Sequence, residues 1–368
     1  MRHRAVIVAT FDLSFDDKAK WRAWQLSRSD LVSPFFHWAF TQAVGEVGHG
    51  TAVAKLYRDD ALVGFFPFQR RGRTAYPIGA PLNDYHGIIG APDLDLSIDQ
   101  LCGLIGASRL SANSWVGQGA DRGIALTTLQ AEVSEGYADW FAAQSQAFNK
   151  FFKDKARARR GLEAAFGPMT VRTGLRDAAL LDRLIGLKRE QYRRTGRHDI
   201  FKPEWTRALL HRLLQADGEC RASLCALYGG ETLLALELSL LADHVWHFWF
   251  PAYLEEGARF SPGIWLSLET MRVVAEDGYR VFDYGFSGEA YKKYLCNREQ
   301  QVQEITQGPT PVVNAAARAL RQPELGLSLR RRWSAIEAVE PSRLGQATGI
   351  ILAAGGLMDR LRGRASGK

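Results

Sequence analysis

The sequence predicts an α+β chain in which one structural plan is used twice. Three observations predict this. YRDDALVGFFPF in the first half and LYGGETLLALELSL in the second each read as a strand, a tight turn and an apolar strand. Each of these hairpins follows two helical stretches. The 368 residues exceed one typical domain and suit two with an appendage.

The elements follow in order. Residues 17–49 alternate tryptophans with polar residues at helical spacing, and Ser33-Pro34 marks a second helix start. TAVAKLYRDDALVGFFPFQRR and RTAYPIGAPL read as strand, Asp-Asp turn, apolar strand, loop and strand. PLNDYHGIIGAP is a loop leading to another short strand, and residues 96–108 read as a helix. Residues 137–166 form the longest helical pattern. Its second half, NKFFKDKARARRGLE, is heavily basic, either as a solvated face or as an attractor for a diphosphate-linked acceptor. PMTVRTG then reads as a strand. DAALLDRLIGLKREQYRRTGR and PEWTRALLHRLLQAD are amphipathic helices closed by Gly196 and Gly218. CRASLCALYGGETLLALELSLLADHVWHFWFPAY gives three strands joined by Gly-Gly and Ala-Asp-His turns. A helix (262–277), a strand (279–284), a short helix (288–295) and a closing strand, QVQEITQG, complete the body. The expected division is 1–145, 146–308 and a basic helical tail, 309–368.

Composition narrows the function classes. No stretch reaches the roughly 18 apolar residues of a membrane span, and MRHRAVIVATFDLSFDD lacks the long core and cleavage site of a signal peptide. A cytoplasmic protein is expected. Cys102, Cys220, Cys225 and Cys296 form no Cys-x-x-Cys pair and read as reduced thiols. His244 and His247, three apart on a strand, face opposite sides, so no metal site is expected. Of the net charge of +7, six belong to the tail, and the body is near neutral. Without a basic aromatic sheet pattern, nucleic-acid binding is not expected. In the tail, Arg330, Arg331, Arg332 and Trp333 suit an anionic nucleotide such as a cyclic dinucleotide, since guanidinium and indole groups both stack. The later TGIILAAGGLMDRLRGR either lies in a membrane interface, as a peripheral contact at the inner membrane, or docks onto the body.

Chemistry concentrates in RFSPGIWL and VFDYGFSGEAYKKYL. The Ser261-Pro262-Gly263 helix start follows an apolar strand, where its N–H groups suit a pyrophosphate; plain capping by Ser261 explains the same residues. Asp283, at a strand end, is either a general base or a loop cap. Tyr291 offers a proton to a leaving thiolate or belongs to the core. Lys292 and Lys293 point about 100° apart on a helix, so at most one faces a site.

FWFPAYLEEGARFSPGIWL and GYRVFDYGFSGEAYKKYL, with KREQYRRTGRHDIF and PLNDYHGIIGAP upstream, resemble the CelD/BcsL-type acetyltransferases of bacterial exopolysaccharide synthesis (cellulose, holdfast). That family belongs to the GNAT superfamily and is related to the FemAB transferases. The resemblance covers residues 21–308. It implies two tandem GNAT folds, the second holding acetyl-CoA at Arg259, Ser261, Gly263 and Ile264. The donor motif is offset here and lacks its second small residue, which leaves another acyl-CoA or an aminoacyl-tRNA open. A backbone N–H near Trp249 or Phe250 would serve the developing oxyanion. The family's closing basic element falls on Lys292 or Lys293. Asp84, Tyr85 and His86 become candidates to line the acceptor cleft, or form a surface turn. Lys188, Gln191, Tyr192, Arg194 and His198 become contacts to sugar or phosphate, Gln191 and Tyr192 alternatively packing only. The implied function is N-acetyl transfer to an amino sugar of a nucleotide- or lipid-linked precursor, directly, because no cysteine or serine sits in a nucleophile motif. The alternatives are a FemAB-like aminoacyl or O-acyl transferase, and an inactive nucleotide-binding component of a polysaccharide synthesis complex.

Overall fold

Strand order repeats, and the repeat explains how the chain divides. The computed structural model describes residues 2–117, 119–120, 123–286, 289–308 and 336. The tail nucleotide candidates Arg330–Trp333 and the apolar tail segment lie outside the described residues. In chain order the elements begin β1 (His3–Val8), α1 (Phe15–Leu26), α2 (Trp38–Val47), β2 (Thr51–Arg58), β3 (Ala61–Arg71), β4 (Thr74–Pro77), β5 (Ile89–Gly90), α3 (Ile98–Leu104) and β6 (Arg109–Trp115). They continue β7 (Ile124–Glu132), α4 (Tyr137–Ala147), α5 (Asn149–Phe166), β8 (Met169–Leu175), α6 (Ala178–Arg194), α7 (Glu204–Leu214), β9 (Arg221–Gly229) and β10 (Thr232–Ala242). The body ends with β11 (Val245–Tyr253), α8 (Pro262–Glu276), β12 (Val281–Phe286), α9 (Lys292–Leu295) and β13 (Arg298–Gln307).

Two compact units result: Met1–Leu126 with Arg189–Leu209 and the segment from Val302, and Thr127–Lys188 with Leu210–Gln301. In the first, β1, β2, β3 and β4 pair antiparallel in that order, β4 pairs parallel with β6, and β6 pairs antiparallel with the end of β13. In the second, β8, β9, β10 and β11 pair antiparallel, β11 pairs parallel with β12, and β12 pairs antiparallel with β7. The plan is the same. Each parallel pair needs a crossover, supplied by α3 in one unit and α8 in the other.

The closing strands are exchanged along the chain. The first unit closes on β13, at the end of the described body, and the second on β7, which precedes it. A single cut after residue 145 would fall inside α4, so the compact units divide differently from the expected boundary.

Local sequence explains most elements. α1 starts with a capping box, Ser14 and Asp17 each bonding the other's backbone. Trp21, fully buried, donates its indole N–H to the Phe36 carbonyl at 2.7 Å. β10 is buried along almost its whole length, as a strand covered on both faces requires. Four differences from the sequence expectations matter. β1, β6 and β7 were not anticipated, because each mixes polar and apolar residues without clean alternation. The helix expected over 96–108 is only α3, seven residues long. The long helix breaks at Phe148 (φ −124°, ψ 44°) into α4 and α5. The short helix expected from 288 is α9, which begins at Lys292. No helix among the described residues is long and apolar enough to cross a membrane.

Candidate functional site

In the second unit, parallel pairing of β11 with β12 is limited to Val245–Val281, Trp246–Phe282 and His247–Asp283. Two residues later the register of β10 with β11 steps over Trp249. A bulge there turns the strand, so the two central strands part at their carboxyl ends. This is the place where sites form in sheets with parallel neighbours.

A buried polar row crosses the sheet at the last pair. His247, Asp283 and Gln130 are register partners on β11, β12 and β7, each at most 1% exposed. His247 Nδ1 lies 3.5 Å from Asp283 Oδ1. Asp283 Oδ2 accepts from Gln130 Nε2 at 3.1 Å, and Oδ1 accepts from the Gly285 N–H at 2.7 Å. Gly285 has φ +64°, which the turn requires and glycine supplies without strain. Asp283 therefore spends both oxygens on its neighbours. Of the two roles the sequence left open, the bond from the Gly285 N–H is that of a loop cap, and the other contacts orient the row.

Lys292 is also committed. Its Nζ donates to the carbonyls of Tyr284 (2.6 Å) and Phe286 (2.8 Å) and pairs with Glu289 (2.8 Å). An ammonium has three donors, so Lys292 is a lock on the end of β12 instead of a reagent. Lys293 is exposed and lines a cleft of about 290 Å³ with Thr127, Leu129, Glu289, Ala290 and Glu299. Burial, with the charge of Glu237, pushes the Tyr291 phenol well above its ordinary range. That makes it a poor proton donor to a thiolate, and its ring packs against the core, the other reading the sequence left open.

Glu237 is the acid that sequence reasoning missed. It stands on β10 opposite Pro251 and is 5% exposed. Burial raises its carboxyl to about 8, against the pull of Lys188, His247, Lys292 and the Phe250 N–H. Its Oε1 accepts no hydrogen bond among the described residues. The legible signal was a lone charge within the apolar run LLALELSLL. The Phe250 N–H, expected to meet an oxyanion, instead serves this carboxyl. Trp249 and Phe250 stack their rings at 5.0 Å. Lys188 is nine-tenths buried and donates to the Pro251 carbonyl at 3.2 Å, and its charge acts on Glu237.

The start of α8 differs from the plain cap. Ser261 is left-handed (φ 56°, ψ 52°) and makes no side-chain capping bond. Its hydroxyl instead accepts from Lys155 Nζ at 2.9 Å. A Cβ on Gly263 would meet nothing within 4 Å, so space lies open over the helix start. Arg159 stands over the Trp265 ring at 5.3 Å and pairs with Glu269 at 3.2 Å. The basic run of α5 is thus only partly a solvated face: Lys155 and Arg159 turn toward the α8 start. Arg259 is exposed, over the Phe260 ring at 4.5 Å, and Ile264 packs on the core.

The corresponding place in the first unit is filled. α3 carries a complete capping box, Ser97 with Gln100. Where β4 and β6 part, the chain at His86 inserts and bridges to Trp115. His86 and Tyr85 are 2% and 1% exposed, so they fill the unit where the strands part, and His86 also lines a small cavity with Tyr76, Asn83 and Ser111. His86 lies between Phe66 (5.0 Å) and Trp115 (5.4 Å). Burial lowers its pKa to about 3. The unfolded chain takes up that proton near 6.5, so the stability His86 contributes is whole above that pH and lost as pH falls toward 3. Wild type should lose about 1.4 kcal/mol per pH unit across this window through His86, and His86→Phe should flatten that slope in urea titrations. Asp84 is half-exposed, and its charge reaches Tyr192, which stacks on Phe201 at 6.1 Å. Gln191 and His198 are half-exposed and Arg194 is exposed on the same segment.

Comparison with known proteins agrees with this layout. No curated protein sequence matches the chain. FemX, a solved structure, superposes with a TM-score of 0.50 at 12% identity, over 83% of this chain and 96% of its own. The C-terminal domain of a putative lysylphosphatidylglycerol synthetase from Agrobacterium fabrum gives 0.47 at 13%, over 83% and 96%. A tandem GNAT protein from the clavulanic acid biosynthesis pathway gives 0.45 at 10%, over 84% and 100%. At 12% identity the FemX match speaks for the fold alone. Residues 149–293 match the family model of the GNAT acetyltransferase domain, a kind of domain that takes acetyl-CoA or another acyl-CoA. The chain therefore shares the fold of FemX, and residues 149–293, most of them in the second unit, match an acetyltransferase domain of the GNAT kind, which makes the protein an acyltransferase.

Proposed function

We propose that the protein is an acyl-CoA-dependent N-acetyltransferase whose acceptor is an amino sugar of an exopolysaccharide precursor. One observation carries the donor assignment: among the described residues, only the second unit combines parted parallel strands with a helix start that no side chain caps. The residues there fit a phosphorylated donor. N–H groups at the α8 start and the Lys155 ammonium would hold the pyrophosphate, with room over Gly263. The bound donor supplies the thioester. Cys225 and Cys296 are no rival nucleophiles, because burial pushes Cys225 up to about 12 and Cys296 higher still. Direct transfer follows.

The acceptor assignment rests on the motif resemblance. Asp84 and Tyr192, from two of its segments, act on each other within the first unit. The cleft at Lys293, with carboxylates and an ammonium together, suits a sugar carrying both an amine and a phosphate. Titration calorimetry should show acetyl-CoA binding, weakened roughly 10-fold in Lys155→Ala by loss of one charged contact. Thiol release over a panel of phosphorylated amino sugars would then identify the acceptor. A chain that binds no acyl-CoA ends the proposal.

A further inference from the structure

We infer that Glu237 takes the proton of the incoming amine and returns it to the departing thiolate, one carboxyl serving both halves of the transfer. The inference rests on the acyltransferase reading of the second unit. Four observations lead to it.

The first is position. Glu237 faces Pro251, just past the bulge at Trp249, where β11 has already left β12. It therefore stands at the mouth of the parted strands. The second is an open valence: in a carboxyl 5% exposed, Oε1 accepts no hydrogen bond among the described residues. A buried acceptor atom left so is costly unless a ligand completes it. The third is elimination. Asp283 has both oxygens engaged, Lys292 has its donors filled, and the Tyr291 proton is held too tightly. The fourth is the surrounding charge. Lys188 from α6, His247 from β11 and Lys292 from α9 act on Glu237 as cations. Around it also stand the phenols of Tyr284 and Tyr291 and the thiol of Cys225. The cations favour the ionised carboxyl, burial the neutral one, and the balance at about 8 keeps both forms in use near neutral pH.

The step balances. The amine lone pair attacks the thioester carbon, the new N–C bond forms, and the C–S bond breaks with its electrons on sulfur. The N–H proton passes to the Glu237 carboxylate. The resulting acid gives it to the thiolate, so amide and thiol leave and the carboxylate is restored. Sugar and α-amines and alkyl thiols lie near pKa 8 to 8.5, so neither transfer runs steeply uphill. The acceptor class is a weakly basic amine.

Infrared difference spectra of the full chain, with and without saturating acetyl-CoA, test this. The protonated carboxyl band of Glu237 should titrate near 8, shift upward when acetyl-CoA binds and excludes water, and be absent in Glu237→Gln. Slow thiol release from acetyl-CoA to water should fall roughly 100-fold or more in Glu237→Gln at unchanged acetyl-CoA affinity. Should Glu237→Gln not fold, Glu237→Asp, which keeps a carboxyl, should retain the titrating band with a displaced midpoint. A band that acetyl-CoA binding leaves unmoved overturns the inference while the acyltransferase reading stands. Failure to bind acetyl-CoA overturns both.

Discussion

Gly263→Glu should remove donor binding and leave the fold intact. A side chain at this position enters open space, since a Cβ meets nothing within 4 Å. A carboxylate in the first turn of α8 also faces the positive end of the helix dipole, a contact worth about 0.3–1 kcal/mol in favour of folding. The same carboxylate would lie where the pyrophosphate must, and would draw on the Lys155 ammonium that otherwise meets the phosphates. Losing such charged contacts and adding like-charge repulsion should weaken acetyl-CoA binding roughly 100-fold or more. Calorimetry for affinity and thermal melting for the fold read the two effects separately. Unchanged affinity would place the donor elsewhere; a collapse in melting temperature would mean that the helix start is structural.

Asp283→Asn should be the most destabilising single change in the polar row. The position is 0% exposed, and both oxygens accept, from Gly285 and from Gln130. An asparagine must turn an NH₂ toward one of those donors. It also removes the charge opposite His247. Removing a fully buried, hydrogen-bonded carboxyl and orphaning a donor should cost about 3 kcal/mol in urea unfolding. If the variant keeps its unfolding midpoint yet loses turnover, Asp283 acts in the chemistry after all.

The two residues show what sequence reasoning could reach. Gly263 was legible because a Ser-Pro-Gly helix start after an apolar strand is a local pattern, fixed by backbone conformation and neighbouring residues. Asp283 was legible as important, but not its role, which depends on Gln130 across a strand contributed 153 residues away. Glu237 carried a signal, one charge in a buried strand, that pattern alone does not weigh. Lys155 was hidden in a basic run, where nothing local distinguishes the one side chain that meets Ser261 from those facing solvent.

By itself, then, the sequence determined the repeated α+β plan, the hairpins and the α8 start. Periodicity, turn residues and capping act over a few residues and are written in order along the chain. Only the tertiary structure decided that β13 closes the first unit and β7 the second, that His86 plugs one opening while the other stays clear, and that the carboxyl with an open oxygen is Glu237. Strand partners, burial and the charges around a buried acid are set by residues far apart in sequence. Which of two similar acids keeps an open oxygen depends on where every neighbouring donor already points.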